Sequence, residues 1–186
     1  MAVEILRKKF TVGQYHQMVE SGILTDRDRV ELLQGDIIEM SPVASRHAAC
    51  VDRLNEVLVL GLSARAMVRV QGSIHLGHRS APQPDVAILR RRPDFYATAH
   101  PQADDVLALV EVADTTVEFD RTVKVPLYAQ DGIAEVWMVD LKADAVEVYR
   151  GPRSDGYQQV QTFQRGDGLE FQALADAKFT VDQILG

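Results

Sequence analysis

The segment Val106-Leu107-Ala108-Leu109-Val110-Glu111-Val112 constrains the fold more than any other part of the chain. A nearly continuous apolar run of this length reads as a strand covered on both faces, and so as the centre of a sheet. Glu111 lies inside it. Taking an ionised carboxylate out of water is costly even after relaxation, so Glu111 requires a cation, a web of hydrogen bonds or a raised pKa. A second apolar run, Asp85-Val86-Ala87-Ile88-Leu89, is introduced by Pro82-Gln83-Pro84 and opens on an acid, as suits a strand start. Glu31, in Arg29-Val30-Glu31-Leu32-Leu33, is a third acid in a largely apolar strand.

The remaining pattern alternates strands and helices. Thr11 and Gln14 form a T-x-x-Q capping box with Phe10 and Tyr15 at staple positions, predicting a first helix that stops near Gly22. Arg29–Leu33 and Asp36–Met40, divided by Gln34-Gly35, predict a hairpin. Ser45 is a candidate N-cap for a helix carrying Val51, Leu54, Leu58 and Leu62 on one face and ending near Gly61. Short strands are expected at Ala66–Gln71 and Ile74–Leu76. A helical segment is expected at Arg121–Gln130, with Pro126 kinking it or in its first turn. Strands follow at Glu135–Asp140, Ala145–Tyr149 and Tyr157–Phe163, then a last helical turn at Val181–Leu185. With 186 residues, 46% of them hydrophobic, the expectation is a single domain, 1–186, of α/β class with a mixed sheet flanked by helices.

Charge narrows the partners. The net charge of −7 weighs against general polyanion binding, but residues 1–100 carry 13 basic and 11 acidic side chains against 7 and 16 in the rest. Arg65, Arg69, Arg79, Arg90, Arg91 and Arg92 face only Asp85 between positions 65 and 92. Arginine is well shaped for phosphate, although a solvated basic face explains the cluster equally well. The lone Cys50 and the absence of a signal-length apolar stretch in MAVEILRKKF point to a reducing cytoplasm. No run approaches the about 18 apolar residues of a membrane span, so no membrane partner is expected.

If the strands of Asp85 and Glu111 are neighbours, their carboxylates converge at one edge and repel by about 4 kcal/mol at ~4 Å and an effective dielectric of ~20. A divalent cation reverses that penalty. Mg²⁺, with Mn²⁺ as a substitute, takes one or two carboxylates and completes its shell with water and phosphate oxygens. Lys124, on the following segment, can reach the same place and orient a water or offset developing charge. Each residue also has a structural explanation: an arginine partner for Glu111, a turn cap for Asp85, an i,i+4 pair with Asp120 for Lys124. The combination is what points to a site.

In order along the chain, FTVGQYHQMVESGIL, RVELLQGDIIEMSP, SRHAACVDRLNEVL, PQPDVAIL, LALVEVADTT and FDRTVKVPLYAQDGIAEVWMVD resemble the putative restriction endonuclease domain family of the PD-(D/E)xK nuclease superfamily. The resemblance implies a restriction-endonuclease-like fold, Asp85 and Glu111 as metal ligands, Glu31 as an accessory acid, and DNA as substrate, with RNA not excluded. The usual lysine position two residues beyond the second acid is Ala113 here. The family places that lysine on the next helical segment, which Lys124 in DRTVK fits.

This reading makes the chain a Mg²⁺-dependent endonuclease. Arg90, Arg91 and Arg92 become flanking phosphate contacts, about 16 Å along the strand from Asp85 at ~3.3 Å per residue. His47 is either a further phosphate contact or a half-buried structural histidine. The acidic balance favours a homodimer that brings two arginine-rich surfaces together. Two rivals stand beside it: an inactive nuclease-fold module that binds nucleic acid or protein, and a metal-independent carboxylate-pair glycosidase. His75 and His78 suggest a metal pair, but with no further Cys or His nearby a zinc site is not expected. Tyr128 and Trp137 read as core aromatics.

Overall fold

A computed structural model describes residues 7–25 and 27–186. The first six residues of MAVEILRKKF lie outside the described residues. The chain runs through α1 (Val12–Glu20), β1 (Val30–Leu33), β2 (Asp36–Glu39), α2 (Ser45–Leu62), β3 (Met67–Val70), β4 (Val86–Leu89) and β5 (Val106–Ala113). A helical stretch then joins α3 (Val117–Phe119), a π-helical turn (Asp120–Lys124) and α4 (Val125–Gln130). It continues into β6 (Glu135–Asp140), β7 (Ala145–Arg153), β8 (Gly156–Gln164), β9 (Gly168–Phe171), β10 (Leu174–Thr180) and α5 (Val181–Leu185).

Six strands form one sheet in the order β3-β4-β5-β6-β7-β8. β5 and β6 are parallel, and the other pairs are antiparallel. A parallel pair needs a crossover connection, and the stretch from 117 to 130 supplies it. β5 is therefore internal and buried along most of its length, as the VLALVEV run requires.

The two faces are covered differently. Leu54, Leu58 and Leu62 of α2 pack with Trp137, Phe171 and Phe179 on one face, and the β9–β10 hairpin and α5 complete that layer. On the other face, Tyr128 and Val125 of α4 pack with Ile74, Leu76, Tyr96 and Leu109. α2 runs through Gly61 to Leu62. There a Cβ at position 61 would meet the Phe179 ring at 2.5 Å, so this glycine serves close packing.

The capping box of Thr11 and Gln14 is present as expected. The β1–β2 hairpin turns through Gln34 (φ 49°) and Gly35 (φ 84°), the two positive φ values of a type I′ turn whose twist matches the strands. This hairpin is a separate two-stranded sheet. It is fastened through a Leu32–Ala81 bridge and the Gly35 N–H donated to the Arg79 carbonyl.

Two expectations are corrected, and one hairpin was not foreseen. Ile74–Leu76 forms isolated bridges, His75 with Gln102 and Leu76 with Ser80, in place of a strand. The helical segment begins at Val117, ahead of Arg121, and Pro126 sits in the first turn of α4 directly after the π-turn. That is where a residue without an N–H costs least. The β9–β10 hairpin carries no turn signal strong enough to have predicted it.

Candidate active site

The β4–β5 register pairs Val86 with Val110 and Ala87 with Leu109, so Asp85, one residue before β4, falls opposite Glu111. Side chains alternate along a strand, which points both carboxylates to the sheet face covered by α4. Each accepts a backbone N–H from the other segment: the Asp85 N–H donates to Glu111 Oε2 at 3.4 Å, and the Val112 N–H donates to Asp85 Oδ2 at 2.9 Å.

The crossover helix closes the pocket from above. Asp120, Lys124 and Tyr128 recur every four residues, so one helical face carries all three toward β5. All three are buried. Lys124 Nζ donates to Glu111 Oε1 at 3.0 Å and lies 3.6 Å from Glu31 Oε2. The Tyr128 hydroxyl donates to the same Glu111 oxygen at 2.5 Å. Glu31 reaches the site from β1 and accepts from the Gln83 N–H at 3.0 Å. The Thr116 hydroxyl donates to Asp120 at 2.7 Å.

His47, early in α2, supplies the other wall. Its Nε2 is 3.1 Å from Asp85 Oδ2, and its Nδ1 is buried without a partner. Gln71 Nε2 donates to Asp85 Oδ1 at 3.3 Å. These residues line a cleft of about 360 Å³ whose rim includes Arg29, Glu39, Ser41, Asp114 and Phe119.

Negative charge is in excess here. Glu31, Asp85, Glu111 and Asp120 share one lysine. Burial, followed by the Asp85 and Asp120 carboxylates, pushes the Glu111 carboxyl up to about 8 against the pull of Lys124 and Tyr128. Burial also raises Asp120. Burial opposes the charge on Lys124, but Glu111, Glu31 and Asp120 outweigh it and hold the amine protonated. His47 is raised chiefly by its hydrogen bond to Asp85.

The donor set suits a hard divalent cation. Two carboxylates from adjacent strands, in a cleft with space for water, match what Mg²⁺ or Mn²⁺ takes.

A family model described as "Putative restriction endonuclease" matches residues 12–182, nearly the whole length. The chain belongs to the Uma2 family. The fold of this Uma2 protein is also similar to the crystal structure of a putative nuclease from Anabaena variabilis ATCC 29413, with a TM-score of 0.75 and 14% identity. That likeness covers 95% of this chain and 97% of the other. A search among curated proteins finds no match.

The structure gathers Asp85, Glu111, Lys124, Glu31 and His47 in the Uma2 cleft. It does not gather the three arginines. Arg90, Arg91 and Arg92 follow the far end of β4 from Asp85, and none lines the cleft. Arg90 donates its Nε to the Asp104 carbonyl, while Arg92 pairs with Asp94 and lies over the Tyr96 ring. Intramolecular bonds thus hold Arg90 and Arg92 at a distance from the cleft.

Three cleft residues, and Tyr128 behind Glu111, escaped sequence reasoning. Tyr128 reads as core because a buried tyrosine usually is. Asp120 passes as a surface partner of Lys124. Gln71 and exposed Arg29 carry no motif. The four-residue spacing of Asp120, Lys124 and Tyr128 is the signal that would have found the first two.

Proposed function

We propose that this Uma2 protein hydrolyses DNA phosphodiester bonds as a Mg²⁺-dependent endonuclease. The observation that carries the reading is the meeting of Asp85, Glu111 and Lys124, from two strands and a helix, within hydrogen-bonding reach around one cleft. Asp85 and Glu111 would hold the ion, through Asp85 Oδ1 and Glu111 Oε2, the oxygens with the weaker protein hydrogen bonds. When bound, Mg²⁺ supplies charge stabilisation and lowers the pKa of a water.

Lys124 orients the attacking water and offsets charge gathering on the phosphate. Glu31 acts as the accessory acid by fixing the Lys124 ammonium from its second side. His47 Nε2 holds the Asp85 carboxylate, and a contact of this residue with a phosphate oxygen would need its ring to turn, because its Nδ1 is buried. Arg29, an exposed cation that lines the cleft, would take the flanking backbone, and Arg90, Arg91 and Arg92 would serve only a long substrate that wraps past the end of β4.

The test is cleavage of supercoiled and linear DNA, and of RNA, with Mg²⁺, Mn²⁺ or EDTA. Activity should require the metal and disappear in Asp85→Asn and Glu111→Gln with the fold retained. Full activity in either variant overturns the assignment.

A second reading is an inactive nuclease-fold module. The deep burial of Lys124 between two carboxylates and the chain's acidity favour it. Calorimetry separates the two, because metal binding without turnover selects the module. A homodimer, which would pool basic surface, is checked by sedimentation. Among the described residues no helix is long and apolar enough to cross a membrane.

A further inference from the structure

The sequence holds five histidines, and three of them meet outside the cleft. His16 comes from α1, His75 from the irregular segment after β3, and His100 from the segment after β4. One ring nitrogen from each falls within 4.8 Å of the other two. His78, the partner that sequence proximity offers His75, is not in the group.

We propose that His16, His75 and His100 form a second metal site, for a zinc-class ion, which clamps α1 to these two segments. His16 Nε2 and His75 Nε2 are 2.9 Å apart. Two nitrogens sharing a tetrahedral ion at ~2.05 Å stand about 3.3 Å apart, so the pair parts by only a few tenths of an ångström to admit one. His100 Nδ1 is 3.3 Å from the Ser73 carbonyl. A carbonyl only accepts, so Nδ1 carries the proton and Nε2 keeps its lone pair. That backbone hydrogen bond is the kind of support that orients metal-bound imidazoles.

The protonation states agree with the geometry. Burial, with His100 and His16 adding to it, brings His75 down to about 4, and burial lowers His100. Both are neutral ligands at neutral pH. Main-chain bonds already hold the frame: the His75 N–H donates to the Pro101 carbonyl at 2.8 Å, and the Val12 N–H to the His78 carbonyl at 2.9 Å.

Three imidazoles select Zn²⁺, Cu²⁺ or Ni²⁺ over Mg²⁺, so the site would not compete with the carboxylate cleft for its ion. A fourth position remains for water. Arg69, whose charge is felt at His100, opposes a cation and sets a ceiling on affinity.

The test uses the full chain, stripped with EDTA and exchanged into clean buffer, with long-range ¹H–¹⁵N correlation of the imidazoles during ZnCl₂ titration. One equivalent should shift His16, His75 and His100 and leave His78 in place, while Mg²⁺ shifts none of the three. His75→Gln should lose at least about tenfold in Zn²⁺ affinity, and Asp85→Asn should retain it. Unmoved resonances at stoichiometric Zn²⁺, shifts confined to His47, or unchanged affinity in His75→Gln would each overturn the site. The wild-type titration decides even if the variant fails to fold.

Discussion

Lys124 Nζ lies 3.0 Å from Glu111 Oε1 although the two side chains leave the backbone on different elements, one from the crossover helix and one from β5. The lysine thus neutralises the sheet from above. Once Glu111 is ionised, such a contact at an effective dielectric of ~20 is worth about 5 kcal/mol before desolvation is subtracted.

Replacing Lys124 by Met leaves Glu111, Glu31 and Asp120 buried without their cation. Loss of one partner from a buried pair costs about 3–5 kcal/mol. Chemical denaturation in EDTA should show a loss in that range for Lys124→Met, and Glu111→Gln in the same background should restore part of it. A Lys124→Met midpoint equal to wild type would contradict the arrangement.

The metal-free protein should become less stable as pH rises. Glu111 titrates at about 8 when folded, against its ordinary 4.5. The folded state therefore binds more protons between those values, and the stabilisation present below pH 4.5 is lost as pH climbs through 8. His47, also raised, adds in the same direction at the upper end. Melting curves in EDTA across this window should fall with pH, Glu111→Gln should flatten the slope, and Mg²⁺ should bind more tightly toward the alkaline end.

Tyr128→Phe removes the second donor to Glu111 Oε1 while keeping the ring that packs on the sheet. Hydrogen bonds to charged groups contribute about 1.5–3 kcal/mol. Stability should drop within that range, and the pH at which the EDTA melting curve bends should move upward. An unchanged curve would mean that the hydroxyl is idle.

Gly35→Ala should strain the β1–β2 turn. The residue has φ 84°, and a Cβ there would approach Lys9 Cβ to 2.8 Å and the Phe10 carbonyl to 3.0 Å. A cost of about 1–3 kcal/mol is expected from backbone strain of this kind, read as a lower urea midpoint with an unchanged m-value.

Much of this was legible in the chain. VLALVEV announced an internal strand because only a doubly covered strand tolerates such a run, and Glu111 within it announced a compensated site. The pairing of Asp85 with Glu111 followed once the strands were neighbours. What stayed hidden depends on long-range apposition. Tyr128 looks like any core aromatic until β5 lies beneath it. His16, His75 and His100 are too far apart in sequence to suggest one another. The arginine cluster shows the opposite limit, because adjacency in sequence does not reveal that Arg90 and Arg92 lie away from the cleft and bond Asp104 and Asp94.

One jaw of the cleft, from Glu31 to Ala44, is built on a hairpin that shares no ladder with the strands bearing Asp85 and Glu111. Its hold on the segment before β4 runs through the neighbouring bonds of Leu32 with Ala81, Gln34 with Ser80, Gly35 with Arg79 and Glu31 with Gln83. Residues 79–83 therefore help to set the gape of the mouth, so sequence change there can retune how bulky a polymer is admitted while the chemistry stays in register.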